Sequence, residues 1–444
     1  MRVQAWRGVV AGCSMACYIV AMPTRHAICI TIDGLRASAL GAYGNTWHPT
    51  PALDLLASQA HVVDWMLCDR PTLEGFYASV WGGSGNFLAE QLTAAGVQAA
   101  LTTDDRAIAE RAEATGFADV RRIEFTAEQS AATVAETELA QLFAVAVDQL
   151  EGWARAENSP DASTARLLWL HARGFHGAWD APLEFRDSLL DDEDPPAPEF
   201  VTPPALETVA DHDTLLLHRA AYAAQTMVLD ECVDALLAAL VEFGLDDSTL
   251  VVLVGSLGFS LGEHGVVGGD AAGVYGELLH VPCLVRAPGA IGPPPRSSQL
   301  SLPVDLRATL LQWFGVEATG SAERGSSLLA GGGGGPSAGR QYVVATGDDG
   351  GRAIRTPAWM LIQRPSDPSQ LAEHSDAGAV ELYLKPDDRW EANEIADRCP
   401  EIVVELLAVL DRGLKAREAK TSGTADLRQA IVAPLDERLV AHPR

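Results

Sequence analysis

Short runs of apolar, largely β-branched residues alternate with longer stretches of helical periodicity along most of this chain. A run that is apolar almost throughout, such as AICITID at 27–33, predicts a strand buried on both faces of a sheet. Because strands and helices alternate, we predict an α/β fold with a large, mainly parallel sheet flanked by helices. The further predicted strands lie at 97–102, 165–171, 248–254 and 280–285, and the predicted helices at 51–60, 84–96, 127–156 and 212–243.

The pattern changes after about residue 318. The segment 330–339, AGGGGGPSAG, has the composition of a flexible linker. Beyond it, short strand-like runs precede a helical stretch at 400–416, which predicts a smaller α+β unit. The predicted divisions are a main domain over 26–318, a Gly-rich linker over 319–340, a C-terminal subdomain over 341–416 and a tail over 417–444.

Residues 1–25 form an N-terminal extension for which two hypotheses are open. The apolar stretch 8–21 follows Arg2 and Arg7 and is similar to a short signal peptide, which would make the protein exported. Alternatively, translation begins at Met22, and we prefer this hypothesis because the first predicted strand follows so closely. No other apolar run is long enough to predict a membrane span.

The chain carries a formal net charge of −28. Nucleic acids and anionic membranes are bound through basic surfaces, so this balance argues against both as partners. The seven cysteines are scattered, odd in number and without a CxxC pair, which is not the pattern of a disulfide framework. A reducing compartment, and therefore a cytoplasmic location, is favoured.

Several longer segments carry a resemblance to a known family. ITIDGLRASALGAYGNTWHPTPALDLLASQA at 30–60, LLWLHARGFHGAWDAPLEF at 167–185 and the long helix and strand at 222–254 follow one another in the family's order. The chain resembles the sulfatases of the alkaline phosphatase superfamily over about residues 26–410. This resemblance implies the sulfatase fold, with its large sheet and smaller C-terminal subdomain.

The resemblance also implies a reaction that this chain lacks the residues to perform. Sulfatases cleave sulfate esters with a cysteine that is converted to formylglycine, within a Cys-x-Pro-x-Arg segment at a helix start. Here the segment is PTLEGFYASVWGG, which puts Leu73 at the nucleophile and Tyr77 at the arginine. Thr72 is a substitute nucleophile or, as we prefer, the cap of the following helix. Cys68 is predicted to pack in the core.

The divalent cation of the family would also lose most of its ligands. Asp33 matches the first ligand, but Gly34 stands at the second. Ser256 and Leu257 stand where the family has an Asp and a His or Asn. A hard cation needs about six oxygen-type ligands, so Asp33 is predicted to be a vestige. It would then serve as a capping carboxylate or pair with Arg36.

The family's anion-binding side chains are replaced as well. Its Lys and His after the third strand match positions near Asp104 and Arg106, and its later Lys falls near 269–271. Met360 stands where the C-terminal part of the family has a Lys. By contrast, His176 matches the pocket His and is a candidate for substrate binding, or lines an empty pocket.

Two functions therefore remain open. The first is a sulfatase-like protein without hydrolytic activity, binding an unknown small molecule or protein, with no cofactor expected. The second is an active hydrolase of sulfuric or phosphoric esters with a non-standard site, which would need calcium or a similar cation.

His264, in LGEHG, is predicted to be a structural loop residue bonded to backbone groups.

Overall fold

The computed structural model describes most of the chain. The described residues are 24–82, 87–157, 164–209, 211–269, 273–289, 295–317, 325–329, 339–365, 380–421 and 435–441. Most of the predicted N-terminal extension and of the Gly-rich linker, including all of 330–338, lie outside them.

The elements alternate in the order that the hydrophobic pattern predicts. The strands are β1 (His26–Ile32), β2 (His61–Leu67), β3 (Gln98–Thr103), β4 (Asp119–Arg122), β5 (Arg166–Ala172), β6 (Glu207–Thr208), β7 (Thr249–Gly255), β8 (Ser260–Leu261), β9 (Val266–Gly268), β10 (His280–Val281), β11 (Cys283–Arg286), β12 (Arg296–Ser301), β13 (Val343–Thr346), β14 (Arg352–Arg355), β15 (Trp359–Gln363) and β16 (Val380–Leu384). The helices are α1 (Pro51–Gln59), α2 (Leu73–Val80), α3 (Leu88–Ala94), α4 (Arg106–Ala109), α5 (Glu138–Glu157), α6 (Leu183–Asp187), α7 (His212–Glu242), α8 (Gly276–Leu279), α9 (Pro303–Trp313), α10 (Pro400–Thr421) and α11 (Glu437–Val440).

A nine-stranded sheet, in the order β10-β2-β11-β7-β1-β5-β3-β4 with β12 beside β2, forms the centre of the protein. The central strand β1 pairs in parallel with β5 on one side and β7 on the other. Antiparallel pairing is limited to the edge that contains β2, β10 and β11. The predicted fold class, a large and mainly parallel sheet, is therefore confirmed.

Alternate residues of β1 face two different hydrophobic layers. Ile28, Ile30 and Ile32 pack into the layer formed with α1, α5 and α7. Ala27 and Cys29 pack on the opposite face, in the layer that includes residues of α2, α3 and α9. Burial of every residue of β1 explains why its sequence is apolar throughout instead of alternating.

The C-terminal part forms a smaller, antiparallel sheet in the order β13-β14-β15-β16. Ile354, Leu361 and Leu382 of this sheet pack against α10 through Leu406 and Leu410. Among the described residues, every helix is too short or too polar to cross a bilayer.

Two predicted elements differ from the structure. The helix predicted over 127–156 begins only at Glu138, because the backbone before it bonds elsewhere. The amide of Ala127 donates to Glu138 Oε1, and that of Ala131 to the carbonyl of Asp180. The strand predicted over 280–285 is split between β10 and β11 at Pro282, which has no N–H for the ladder.

Candidate functional site

The residues predicted to form a site come from four different elements and meet at one edge of the large sheet. Asp33 follows β1, Leu257 lies two residues after β7, His176 lies in the turn after β5, and Leu73 begins α2. All four line one cavity of about 620 Å³, which we call the Asp33 cavity. Because β1, β5 and β7 run in parallel, their carboxyl ends necessarily open on the same side.

Both carboxylate oxygens of Asp33 already have partners within the protein. Nδ1 of His176 lies 2.8 Å from Oδ2, and the Ser256 hydroxyl donates to Oδ1 at 2.8 Å. Burial would raise the pKa of Asp33, but the charge and hydrogen bond of His176, helped by His171 and Ser256, lower the pKa below its usual value. Asp33 is thus a buried carboxylate whose lowered pKa favours the ionised form and whose two oxygens each have a partner within the protein.

Gly34, at the position of the second ligand, has a backbone conformation that is unfavourable for an aspartate. Its φ is +74°, and a Cβ atom there would lie only 2.8 Å from Cβ of Phe175. The carbonyl of Gly34 accepts a hydrogen bond from the Tyr222 hydroxyl at 2.8 Å, and Tyr222 stacks on Phe175. The local packing is therefore built around a glycine.

The start of α2, where the nucleophile of the family would stand, offers no free nucleophile. Leu73 is the first residue of the helix and packs partly against the core. The Thr72 hydroxyl accepts a hydrogen bond from the amide of Gly75 at 3.0 Å, so it caps the helix. Cys68 is buried and its thiol donates to the Ser256 carbonyl at 2.9 Å, while burial raises its pKa well above the usual value.

Tyr77, at the position of the family's arginine, belongs to a buried aromatic network. Its hydroxyl lies 2.6 Å from Nδ1 of His171 and 3.3 Å from the Thr31 hydroxyl, and its ring contacts Trp81. Burial lowers the pKa of His171 to about 4, and Nε2 of that ring has no hydrogen-bond partner among the described residues. Tyr77 therefore contributes no positive charge to the site.

Sequence reasoning missed His171 because it lies in an apolar strand. The one available signal is its place in RLLWLHA, at the carboxyl end of β5, where functional residues of parallel sheets collect.

The positions at which the family has anion-binding Lys and His side chains do not supply a positive charge to the site either. Asp104 accepts a hydrogen bond from the amide of Arg173 at 2.8 Å, and burial raises its pKa to about 7. Arg106 is exposed and pairs with Glu110. Gly269 bonds through its carbonyl to Nε2 of His176 at 3.1 Å, and the following residues 270–271 lie outside the described part.

Arg173, which sequence reasoning did not select, is the one Arg or Lys among the described lining residues of the Asp33 cavity. Three carboxylates, those of Asp33, Asp105 and Asp348, line the same cavity. The lining is therefore acidic overall, in agreement with the charge of the whole chain.

The sequence pattern of one known family, the sulfatases, matches residues 25–316, which is well over half of the chain. The chain belongs to the sulfatase family. An N-acetylglucosamine-6-O-sulfatase of Bacteroides thetaiotaomicron is 36% identical over 107 residues, which are 24% of this chain and 19% of that protein. The matched part therefore spans about a fifth of that curated relative.

Solved structures of sulfatases and related hydrolases share the fold. One, in complex with its substrate D-glucosamine-2-N,6-O-disulfate, has a TM-score of 0.65 at 17% identity, with 91% of this chain and 99% of that chain covered. A phosphonate monoester hydrolase of Agrobacterium radiobacter has a TM-score of 0.64 at 16% identity, with 93% and 98% covered. At these identities the likeness establishes the fold and not the activity.

The donor set at the Asp33 cavity does not fit the divalent cation of a sulfatase. Its one matched carboxylate is bonded to His176 and Ser256, and Leu257 has no donor atom. Within the described part of the chain, a single group of three His, Cys, Asp or Glu side chains has spacing suitable for a metal, and it lies elsewhere, at His264.

Two expectations for charged residues of this member of the sulfatase family are wrong. Arg36 does not pair with Asp33, since its guanidinium lies 2.5 Å from Glu263. His264 is not bonded to backbone groups, since its Nδ1 lies 2.7 Å from Glu277 Oε1. Met360 is buried in the C-terminal sheet and contributes no charge to the Asp33 cavity.

Proposed function

We propose that this member of the sulfatase family does not hydrolyse esters and that its Asp33 cavity binds a ligand without cleaving it. The observation that carries the proposal is the internal pairing of Asp33 with His176 and Ser256. It uses both oxygens of the matched carboxylate for contacts within the protein.

A cation at this place would have to break that pairing. Asp33 would give up two hydrogen bonds, one of them with a histidine close enough to form an ion pair. A hard cation would gain one carboxylate and one hydroxyl in return, against the six or so oxygen ligands that it prefers. The exchange is unfavourable, which supports a cavity that works without a divalent cation.

The loss of the nucleophile is a separate argument for the same proposal. Leu73 has no group that can attack sulfur or phosphorus, and Thr72 already accepts a hydrogen bond from the helix it caps. A threonine attacks only when a base or metal takes up its proton. In a sulfatase the bound cation could take up this role. Here Gly34, Ser256 and Leu257 stand at three of the positions that would hold the cation.

The charge of the cavity favours a neutral or cationic ligand. One relative is named an N-acetylglucosamine-6-O-sulfatase, and one similar solved structure contains D-glucosamine-2-N,6-O-disulfate as its substrate. In this chain the lining carboxylates outnumber Arg173, so a sulfate group would meet net repulsion at close range. We therefore propose that the ligand carries no sulfate ester.

The test combines metal analysis with an activity assay on the purified full chain. We expect less than about 0.1 equivalent of calcium after gel filtration in a calcium-containing buffer, since a bound calcium ion at Asp33 would need several carboxylates. We also expect no hydrolysis of 4-nitrophenyl sulfate or 4-nitrophenyl phosphate above a buffer blank. Turnover that an Asp33→Ala variant loses would refute the proposal and establish the second function, an ester hydrolase with a non-standard site.

A further inference from the structure

A second cavity, of about 500 Å³, shares no lining residue with the Asp33 cavity. Its walls come from the segment after β1, from α7 and from the loop after β16. We call it the indole cleft and define it by Arg36, Trp47, His48, Arg219 and Trp390.

Two exposed indole rings line this cleft. Trp47 is 45% exposed and Trp390 is 49% exposed, and no other tryptophan in the described part of the chain is so open to solvent. Large aromatic side chains are normally buried, and exposed apolar surface that gathers in one concave place is typical of a binding site. The two rings offer flat faces against which a ring-shaped ligand can pack.

The indole cleft is locally cationic although the chain carries a net charge of −28. Of its two lining arginines, Arg36 is paired with Glu263. The Nε of Arg219 donates to the Leu261 carbonyl at 3.0 Å, and within the described residues no carboxylate lies within ion-pairing distance of Arg219. Glu263 offsets only one of the two positive charges.

A third guanidinium lies next to the cleft. Arg389 stacks over the Trp390 ring, 5.0 Å from its centroid, and donates a hydrogen bond to the Tyr43 carbonyl. It too has no carboxylate partner among the described residues. Arg389, however, lines a neighbouring cavity together with Asp64, Glu277 and Glu391, so the place for an anion from outside the chain is indicated by Arg219, the cleft arginine without an acidic partner among the described residues.

His48 supplies the independent observation that a polar ligand group belongs here. It lines the cleft and is only 7% exposed, and neither ring nitrogen has a well-formed hydrogen bond with the described residues, the backbone of Ala39 being the one hydrogen-bonding group near the ring. Burial lowers its pKa to about 4, and the nearby backbone of Ala39 offsets this only in part, so the ring is neutral at pH 7. A neutral imidazole has one donor and one acceptor, and the Ala39 backbone is a partner for only one of them, so leaving the other unpaired is costly unless a ligand uses it.

The segment that carries Trp47 and His48 is held in place before any ligand arrives. The side chain of Asn45 donates to the His48 carbonyl at 2.7 Å and accepts from the Trp47 amide at 3.2 Å. A site fixed in this way does not have to be ordered when it binds, which favours affinity.

We propose that the indole cleft binds a small organic anion whose carboxylate is attached to a ring with an apolar face. The ring packs against Trp47 and Trp390, the carboxylate pairs with Arg219, and a hydroxyl or carbonyl group bonds to His48. This site is independent of the proposed function, because the two cavities have no residue in common.

The test is isothermal titration calorimetry on the full chain at pH 7 with benzoate and, separately, with D-glucuronate. We expect at least one of the two anions to bind. Binding of benzoate alone would identify an aromatic acid, and binding of glucuronate alone would identify a sugar acid. The uncharged counterpart of the bound anion is benzyl alcohol for benzoate and methyl glucoside for glucuronate. It should bind at least about 10-fold more weakly, because it forms no charged pair.

Two variants and one control locate the binding. Arg219→Gln and Trp390→Ala should each raise the dissociation constant of the bound anion by about 10-fold or more. Arg121→Gln, which removes an exposed arginine paired with Asp119 outside the cleft, should leave the affinity unchanged. Failure of both anions to bind at roughly 10 mM, or equal affinities for the Arg219→Gln and Arg121→Gln variants, would overturn the proposal. Circular dichroism shows whether each variant is folded, and Trp47→Ala replaces Trp390→Ala if that variant is not.

Discussion

Replacing Asp33 by alanine distinguishes a structural carboxylate from a metal ligand. In a cation site, carboxylates repel one another when the ion is removed, so deleting one makes the metal-free protein more stable. Here Asp33 is instead the acceptor for His176 and Ser256. We therefore expect Asp33→Ala to lower the free energy of unfolding in the presence of EDTA.

The size of this effect follows from the two lost hydrogen bonds. Ser256 is 0% exposed, so its hydroxyl would remain buried without its partner, and His176 would lose its carboxylate. A hydrogen bond to a charged group contributes about 1.5–3 kcal/mol, while His176 can recover some hydration at the cavity. Together these terms predict a loss of about 2–4 kcal/mol at pH 7.

The effect should also depend on pH in a defined direction. The pKa of Asp33 is lowered in the folded protein, so its stabilisation is present above the unfolded value of about 3.9. That stabilisation is lost as the pH falls through the lower folded pKa. The difference between the parent protein and Asp33→Ala should therefore shrink as the pH falls into the acid range.

Urea unfolding followed by circular dichroism, with EDTA present throughout, measures this difference. Asp348→Ala is the matched control, because Asp348 lines the same cavity but is exposed and makes no hydrogen bond with other described residues. The control should stay within about 0.5 kcal/mol of the parent. An Asp33→Ala protein as stable as the parent, or more stable, would refute the structural role of Asp33.

Three further substitutions test the rest of the site. Leu73→Cys, expressed with a formylglycine-generating enzyme, should remain inactive on 4-nitrophenyl sulfate because the cation ligands are still missing, and measurable turnover would contradict this. Gly34→Ala should lower the free energy of unfolding in urea by about 1–3 kcal/mol. It should cost more than Gly96→Ala, since both residues have positive φ but only Gly34 has a crowded Cβ position, so equal losses would argue against the crowding. Tyr77→Phe should cost about 1–3 kcal/mol in the same assay, because Nδ1 of His171 would stay buried without its partner, and an unchanged midpoint would count against that hydrogen bond.

The hydrophobic pattern by itself determined the fold class. The continuous apolar run at 27–33 predicts a strand covered on both faces, and the structure places β1 at the centre of the sheet with both faces packed. The helix predicted over 212–243 is present as α7. Local periodicity is sufficient for these elements because burial of one face or two leaves a direct record in the sequence.

The same reasoning fails where the backbone bonds to distant groups. Residues 127–137 have helical periodicity, but the amides of Ala127 and Ala131 donate hydrogen bonds to Glu138 and Asp180 instead of to carbonyl groups four residues earlier. Hydrogen bonds of this kind depend on which segments meet in space, and no local pattern encodes them.

The candidate site divides in the same way. Matching the order of segments was enough to predict that Leu73 stands at the nucleophile position of the family and that Gly34 and Leu257 stand at cation-ligand positions. No structure is needed for this, because the sequence itself gives the identity of each side chain. Only the tertiary structure showed that Asp33 bonds to Ser256, 223 positions away, and that Arg36 bonds to Glu263, 227 positions away. Partners so far apart are chosen by the packing of whole strands and helices, so the state of a carboxylate or an arginine is decided by the fold and not by its neighbours in the chain.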